Sequence, residues 1–179
     1  MSKQLMMAKG IVFDEGLNDV ELEKIHKIYN LRIPKDLQDF FRQGLPISDG
    51  FYNWRDFSKE NIEKIRTILE QPIQDIKEDI EEIDWCEKWG DEPCSETERG
   101  KIIIERACKA SKLIPFYKHR YISSQFDFDN PVFSVYGLDI IYYGETLDKY
   151  LDVEFGERQQ IDIDYTCIKS VEFWSDLTE

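Results

Sequence analysis

The sequence predicts an α+β fold in a single domain, and three observations carry that prediction. Apolar residues recur at helical spacing from Leu17 onwards, whereas short runs rich in β-branched and aromatic residues gather in the C-terminal half. No regular βαβ alternation links the two, so an antiparallel C-terminal sheet packed with N-terminal helices is expected. The chain has 179 residues, 41% of them hydrophobic and 13% aromatic. That length suits one domain and one buried core without crosslinks, and the composition is too apolar for a disordered chain.

The elements follow in order. Residues 1–16 read as an N-terminal arm, in which Ile11-Val12-Phe13 is a short strand or a docked segment. Asn18 and Glu21 have the spacing of a capping box, and Leu17 can staple to Leu22. Leu22, Ile25, Ile28 and Tyr29 then line one face of a helix over about 19–30, with His26 at the edge of the stripe as a surface histidine. Pro34 opens a second helix faced by Leu37, Phe40 and Phe41 and ended by Gly44, with Pro46 just beyond. These two helices make a helical hairpin. Residues 45–54 form a loop leading into a short extended segment. Ser58 caps a third helix with Ile62, Ile65, Ile68 and Leu69 inside, and Pro72 is the expected stop. A helical pattern then resumes through 73–92 (Ile73, Ile76, Ile80, Ile83), placing Trp85 and Trp89 on one face. Ser95 and Glu98 open a helix to about Ser111.

The character then changes. Residues 113–117 are strand-like, and Asn130-Pro131 marks a turn. Residues 132–136 and 140–143 form a hairpin across Gly137-Leu138-Asp139. Thr146 caps a helix faced by Leu147, Tyr150, Leu151 and Phe155 and closed by Gly156. Ile161, Ile163 and Tyr165 alternate as a last strand, followed by an amphipathic end with Phe173 and Trp174.

Net charge is −14 and is unevenly placed. Residues 70–99 hold 12 acids and 3 bases, a net of −9; residues 145–179 hold 10 acids and 3 bases, a net of −7. Such a surface repels nucleic acid and anionic membranes; it is either a solvated acidic face that keeps the protein in solution, the reading charge alone favours, or a surface that steers a cationic protein towards itself. Nothing resembles a secretory signal or a membrane span. Cys86, Cys94, Cys108 and Cys167 show no CxxC pair, so reduced cysteines in a cytoplasmic protein are expected.

Catalytic motifs are missing. No P-loop, GxGxxG or GxSxG occurs, and neither His26 nor His119 sits in a recognisable nucleophile context. Cys86, Cys94 and His119 have spacing too loose for zinc. Asp127-Phe128-Asp129-Asn130 lacks the glycine and terminal glutamate of a calcium loop. No enzyme activity, metal or cofactor is expected; a protein partner is. The expected binding residues are the acidic group Glu78, Asp79, Glu81 and Glu82, with His119 and Tyr121 beside Tyr136, Asp139 or Tyr142. Trp54 is either an anchor for the partner or a packing residue, burial being preferred. In an extended segment His119 and Tyr121 point one way and Arg120 the other. Arg120 is therefore read as structural, partly buried and paired with a carboxylate such as Asp139. The oligomeric state is not legible.

The stretch Ile33-Pro34-Lys35-Asp36-Leu37-Gln38-Asp39-Phe40-Phe41-Arg42-Gln43-Gly44 resembles the SUKH superfamily. The likeness continues in the Leu-Ile-Pro-Phe segment at Leu113 to Phe116, the helix from Thr146 to Phe155 and the aromatic tail at Phe173-Trp174. It spans roughly residues 17–176, loosely over 73–110, and marks 17–179 as a SUKH-like domain. Where many members have a glycine-rich turn after the Ile-Pro segment, this chain has Lys118-His119-Arg120-Tyr121. The resemblance implies a non-catalytic binding protein: a bacterial immunity protein that neutralises a toxin, often a nuclease, or alternatively a regulatory scaffold of the cell-wall-assembly type. A small-molecule binder is a lesser alternative.

Overall fold

The helices start where short polar side chains can take the free N–H groups of a first turn. In the computed structural model, which describes residues 2–178, α2 (Asp19–Tyr29) opens on a reciprocal capping box. Glu21 N–H donates to Asn18 Oδ1 at 3.0 Å and Asn18 N–H donates to the Glu21 carboxylate at 2.9 Å. α4 (Lys59–Glu78), α5 (Glu96–Lys109) and α6 (Leu147–Phe155) start from Ser58, Ser95 and Thr146 in the same way, each hydroxyl accepting a backbone N–H. α3 (Lys35–Gln43) begins after Pro34 and ends at Gly44.

Over the described residues 2–16, the expected arm is docked on the core. Residues Ser2–Ala8 form α1, which packs on α6, and Met6 is fully buried. β1 (Phe13–Asp14) then pairs antiparallel with β2 (Leu45–Pro46). Pro72 does not stop α4, which runs on to Glu78. A proline inside a helix costs about 3 kcal/mol locally. Here Ile65, Leu69, Pro72 and Ile76 make one buried stripe along α4, and fully burying an aliphatic side chain returns roughly 1.5–3 kcal/mol each. Packing therefore overrides the local penalty. Beyond Glu78 the chain leaves the helix for two 3-10 turns, Ile80–Glu82 and Glu87–Trp89.

The sheet is an antiparallel meander of β3 (Leu113–Tyr117), β4 (Arg120–Ser123), β5 (Val132–Tyr136) and β6 (Asp139–Gly144), in that spatial order. β3 and β5 are buried on both faces, which is why they read as continuous apolar runs, whereas β6 is mostly half-buried. Ile114, Phe116, Ile122 and Val132 face a core shared with α1, α2, α3 and α6. Leu113, Tyr121, Phe133, Val135 and Ile140 face a second core, which contains Trp89, Ile103, Phe173 and Trp174. Sheet and helices thus make one α+β domain.

The loop after β2 covers the outer edge of β3. Phe51 bridges to Tyr117, and Lys118 N–H donates to the Gly50 carbonyl at 2.7 Å. Gly50 sits at φ +90°, where a Cβ would lie 2.7 Å from the Tyr117 ring, so both backbone and space demand glycine.

The alternation of Ile161, Ile163 and Tyr165 is not a strand. The chain forms two 3-10 turns, Gln160–Asp162 and Tyr165–Cys167. Side chains hold this backbone: Arg158 donates to the Asp162 carbonyl and Asp164 N–H donates to Glu145. The tail then returns to bury Phe173 and Trp174, whose indole N–H donates to the Ser111 carbonyl at 2.8 Å.

Candidate functional site

The acidic segment after α4 is turned outward by its apolar anchors, Ile83 and the half-buried Ile80, which pack on the second core. Ile83 is 4% exposed and its carbonyl accepts from Arg99, whereas Glu78, Asp79, Glu81, Glu82 and Asp84 are exposed around it. Opposite stands the β5–β6 hairpin. Between them runs a groove of about 290 Å³, lined by Glu82, Ile83 and Asp84 on one side and Leu138, Asp139, Ile140 and Ile141 on the other. Asp176 and Leu177 of the tail complete it.

Asp176 is tied in place by the Trp89 indole N–H at 2.9 Å and by Lys88 at 3.0 Å. Trp89 in turn stacks on Phe173, with ring centroids 5.8 Å apart. The other three groove carboxylates, Glu82, Asp84 and Asp139, make no salt bridge or side-chain hydrogen bond among the described residues. Like charges gathered in this way raise the local attraction for a cation.

The structure brings together only part of the expected site. Glu82 and Asp139 share the groove, and Glu78, Asp79 and Glu81 continue along the same exposed segment. Tyr142 is half-buried, stacked on Phe133 at 5.1 Å and touching Tyr165. Tyr136 is 78% exposed, and its ring meets His119 at 6.3 Å near the hairpin tip.

One expected binding residue is corrected: Tyr121 is 6% exposed, so it cannot meet a partner. Trp54 is 1% exposed, which decides between its two expected roles in favour of packing. Tyr121 lies opposite Pro115 and Phe133 in the register, on the face covered by the second core. Burial drives its phenol pKa well above the ordinary value. Asp84, Asp176 and Leu177 were not anticipated as site residues. Asp84 lies within the acidic run, but no local signal marks the other two.

Arg120 is 11% exposed at its side chain, with a different partner from the one expected. Its guanidinium donates to Ser134 Oγ at 2.9 Å, lies 3.7 Å from the centre of the Tyr143 ring, and meets the Glu154 carboxylate of α6 at 3.5 Å. Asp139 is not among these contacts. The reason is the turn: Lys118 takes the left-handed conformation (φ 49°), so His119 belongs to a hairpin turn and the strand begins at Arg120. Burial, with the Arg120 charge next in weight, lowers the His119 pKa and favours the neutral ring at pH 7. Arg120→Ala is expected to cost about 3 kcal/mol, since it strands a half-buried Glu154. Arg120→Lys should restore only part of it, because an ammonium lacks the planar fork. An unchanged denaturation midpoint in Arg120→Ala would remove this residue's structural role.

A larger cavity, about 610 Å³, lies among α1, α3 and α6 and holds Asp36, Asp39, Asp129, Asp148 and Asp152. Several of its carboxylates are already engaged. Asp39 pairs with Arg42, Asp129 pairs with Lys169, and Asp36 accepts backbone N–H groups of Leu37 and Asp129. The calcium-like run is explained by the same contacts, with Asp127 paired to Arg32 and Lys35. Among the described residues, no group of three or more His, Cys, Asp or Glu could hold a metal ion, and all four cysteines are unpaired. No helix there is long and apolar enough to cross a membrane.

Fold and groove define the class: an α+β protein with a buried antiparallel meander and an acidic groove along one edge. No protein-family model, curated protein or solved structure matches the chain significantly.

Proposed function

We propose that the protein is a non-catalytic binding protein for a cationic protein partner, and that the groove between residues 82–84 and the β5–β6 hairpin is where that partner meets it. The observation that carries this reading is the set of three carboxylates without salt bridges, Glu82, Asp84 and Asp139, drawn from separate parts of the chain to one apolar-floored groove. The resemblance to the SUKH superfamily supports toxin immunity in a cytoplasm as the biological setting. A nuclease-type toxin domain is basic because it must approach phosphate, and it would find its complement here.

The test is kinetic. Glu78, Asp79, Glu81 and Glu82 are changed together to glutamine, and binding to the protein captured from the producing organism's lysate is followed at low salt. Association is expected to slow roughly tenfold with much less change in dissociation, because exposed charges act on encounter. An on-rate that stays constant would reduce the acidic segment to a solvated face.

A further inference from the structure

Among the described residues no lysine, arginine or histidine lines the groove, yet one of its carboxylates already carries an ammonium. Lys88, on the second 3-10 turn, donates to Asp176 Oδ1 at 3.0 Å, while the Trp89 indole N–H holds Oδ2 at 2.9 Å. The two members of this pair are held very differently. The Asp176 side chain is 13% exposed and fixed by an indole that is itself stacked on Phe173. The Lys88 side chain is 70% exposed and makes no other hydrogen bond or salt bridge among the described residues. An ion pair with one member so exposed is only weakly held together. Asp176 is therefore the fixed half and Lys88 the exchangeable one.

We infer that Lys88 is an internal competitor of the partner: a lysine side chain of the partner lies in the groove and takes the place of the Lys88 ammonium on Asp176. The inference rests on the cationic-partner reading and names the residue type that enters. An ammonium is the group Asp176 already accepts. With Oδ2 given to Trp89, the carboxylate offers one oxygen and not the two that a guanidinium fork engages. The aliphatic stem of a lysine can lie on Leu138, Ile141 and Leu177, with Glu82, Asp84 and Asp139 around its charge. Lys88 repels an entering cation for as long as it stays, so a cation that meets Asp176 alone gains nothing over it. A partner that engages the other three carboxylates at the same time does gain, and the contact thereby raises selectivity.

The full-length protein, Lys88→Met, Asp176→Asn and the double variant are titrated at low salt with a capped tri-lysine peptide, and the Trp89 indole N–H is followed by NMR. Methionine keeps an aliphatic stem without the charge, and asparagine keeps an oxygen for the indole N–H. The expected result is that the peptide shifts the wild-type indole resonance and binds Lys88→Met up to about fivefold more tightly, the range of an exposed ion pair. In the Asp176→Asn background that gain should disappear, since there is no carboxylate left to compete for. An equal gain in both backgrounds would overturn the inference, reducing Lys88 to a nearby like charge, and would leave the cationic-partner reading standing. So would an absent gain in Lys88→Met, or an indole resonance that stays in place at saturation. A tri-glutamate peptide that binds as well as tri-lysine would sink the cationic-partner reading and the inference with it.

Discussion

Arg158→Ala is expected to lower the stability of the fold by about 3–5 kcal/mol, because it leaves the carboxylate of Glu145 buried without its counter-charge. Glu145 is 5% exposed and accepts both guanidinium N–H groups of Arg158, at 2.6 and 2.5 Å, together with Asp164 N–H at 2.8 Å. The Arg158 guanidinium first, and the backbone N–H after it, hold the Glu145 pKa at about 2, against an ordinary value of 4.5 and in spite of burial, which pushes it up. A depressed carboxylate contributes stability that is fully present above the unfolded value and is lost as pH falls through the folded one. The window here is therefore pH 4.5 down to 2, and the depression corresponds to about 3 kcal/mol at 1.36 kcal/mol per unit. Asp14, Glu21 and Asp164 are also depressed, so the informative quantity is a difference. Urea midpoints across that window should fall more steeply for the wild type than for Glu145→Gln. Parallel pH curves would show that the pair adds nothing in this range.

The same pair explains what the sequence hides. Helix starts were legible because Asn18, Ser58, Ser95 and Thr146 act on N–H groups two or three residues away, and that chemistry is written locally. The hairpin of β5 and β6 was legible for a similar reason, its turn needing Gly137 at φ +60°. β4 was not, since it has only four residues and follows a turn that requires a lysine in the left-handed conformation. Pro72 and the alternation at 161–165 misled because distant groups decide them: a buried stripe along α4 in one case, Glu145 and Arg158 in the other. For the candidate site, the acidic wall could be read from charge density alone. Asp176 could not, as it is held at the groove by Trp89 and Lys88, 87 and 88 residues earlier.

Trp54→Ala is expected to cost about 3–5 kcal/mol, the range for removing a large aromatic side chain from a core that cannot collapse around the void. Trp54 is 1% exposed and meets Tyr29 of α2 edge-to-face, with centroids 5.7 Å apart. An aromatic pair of this geometry adds roughly 0.5–1.5 kcal/mol beyond its buried area, so the void and lost burial dominate. The surrounding loop cannot follow the indole inward, because it is pinned on both sides. Asn61 holds the Asn53 carbonyl at 2.9 Å, and Arg55 holds the Glu21 and Asp14 carboxylates at 2.7 and 2.8 Å and the Gly16 carbonyl at 2.9 Å. Those contacts also explain why Trp54, in a loop rich in exposed-looking aromatics, turns inward: its two neighbours are fixed to α2 and α4, and the indole fills the space between. Trp54→Phe should keep more than half of the lost stability, since it retains a ring against Tyr29. The change should appear in the denaturation midpoint at an unaltered slope, as a loss of stability and not of compactness. A Trp54→Ala protein as stable as the wild type would place the indole outside the core and return it to the partner-binding surface.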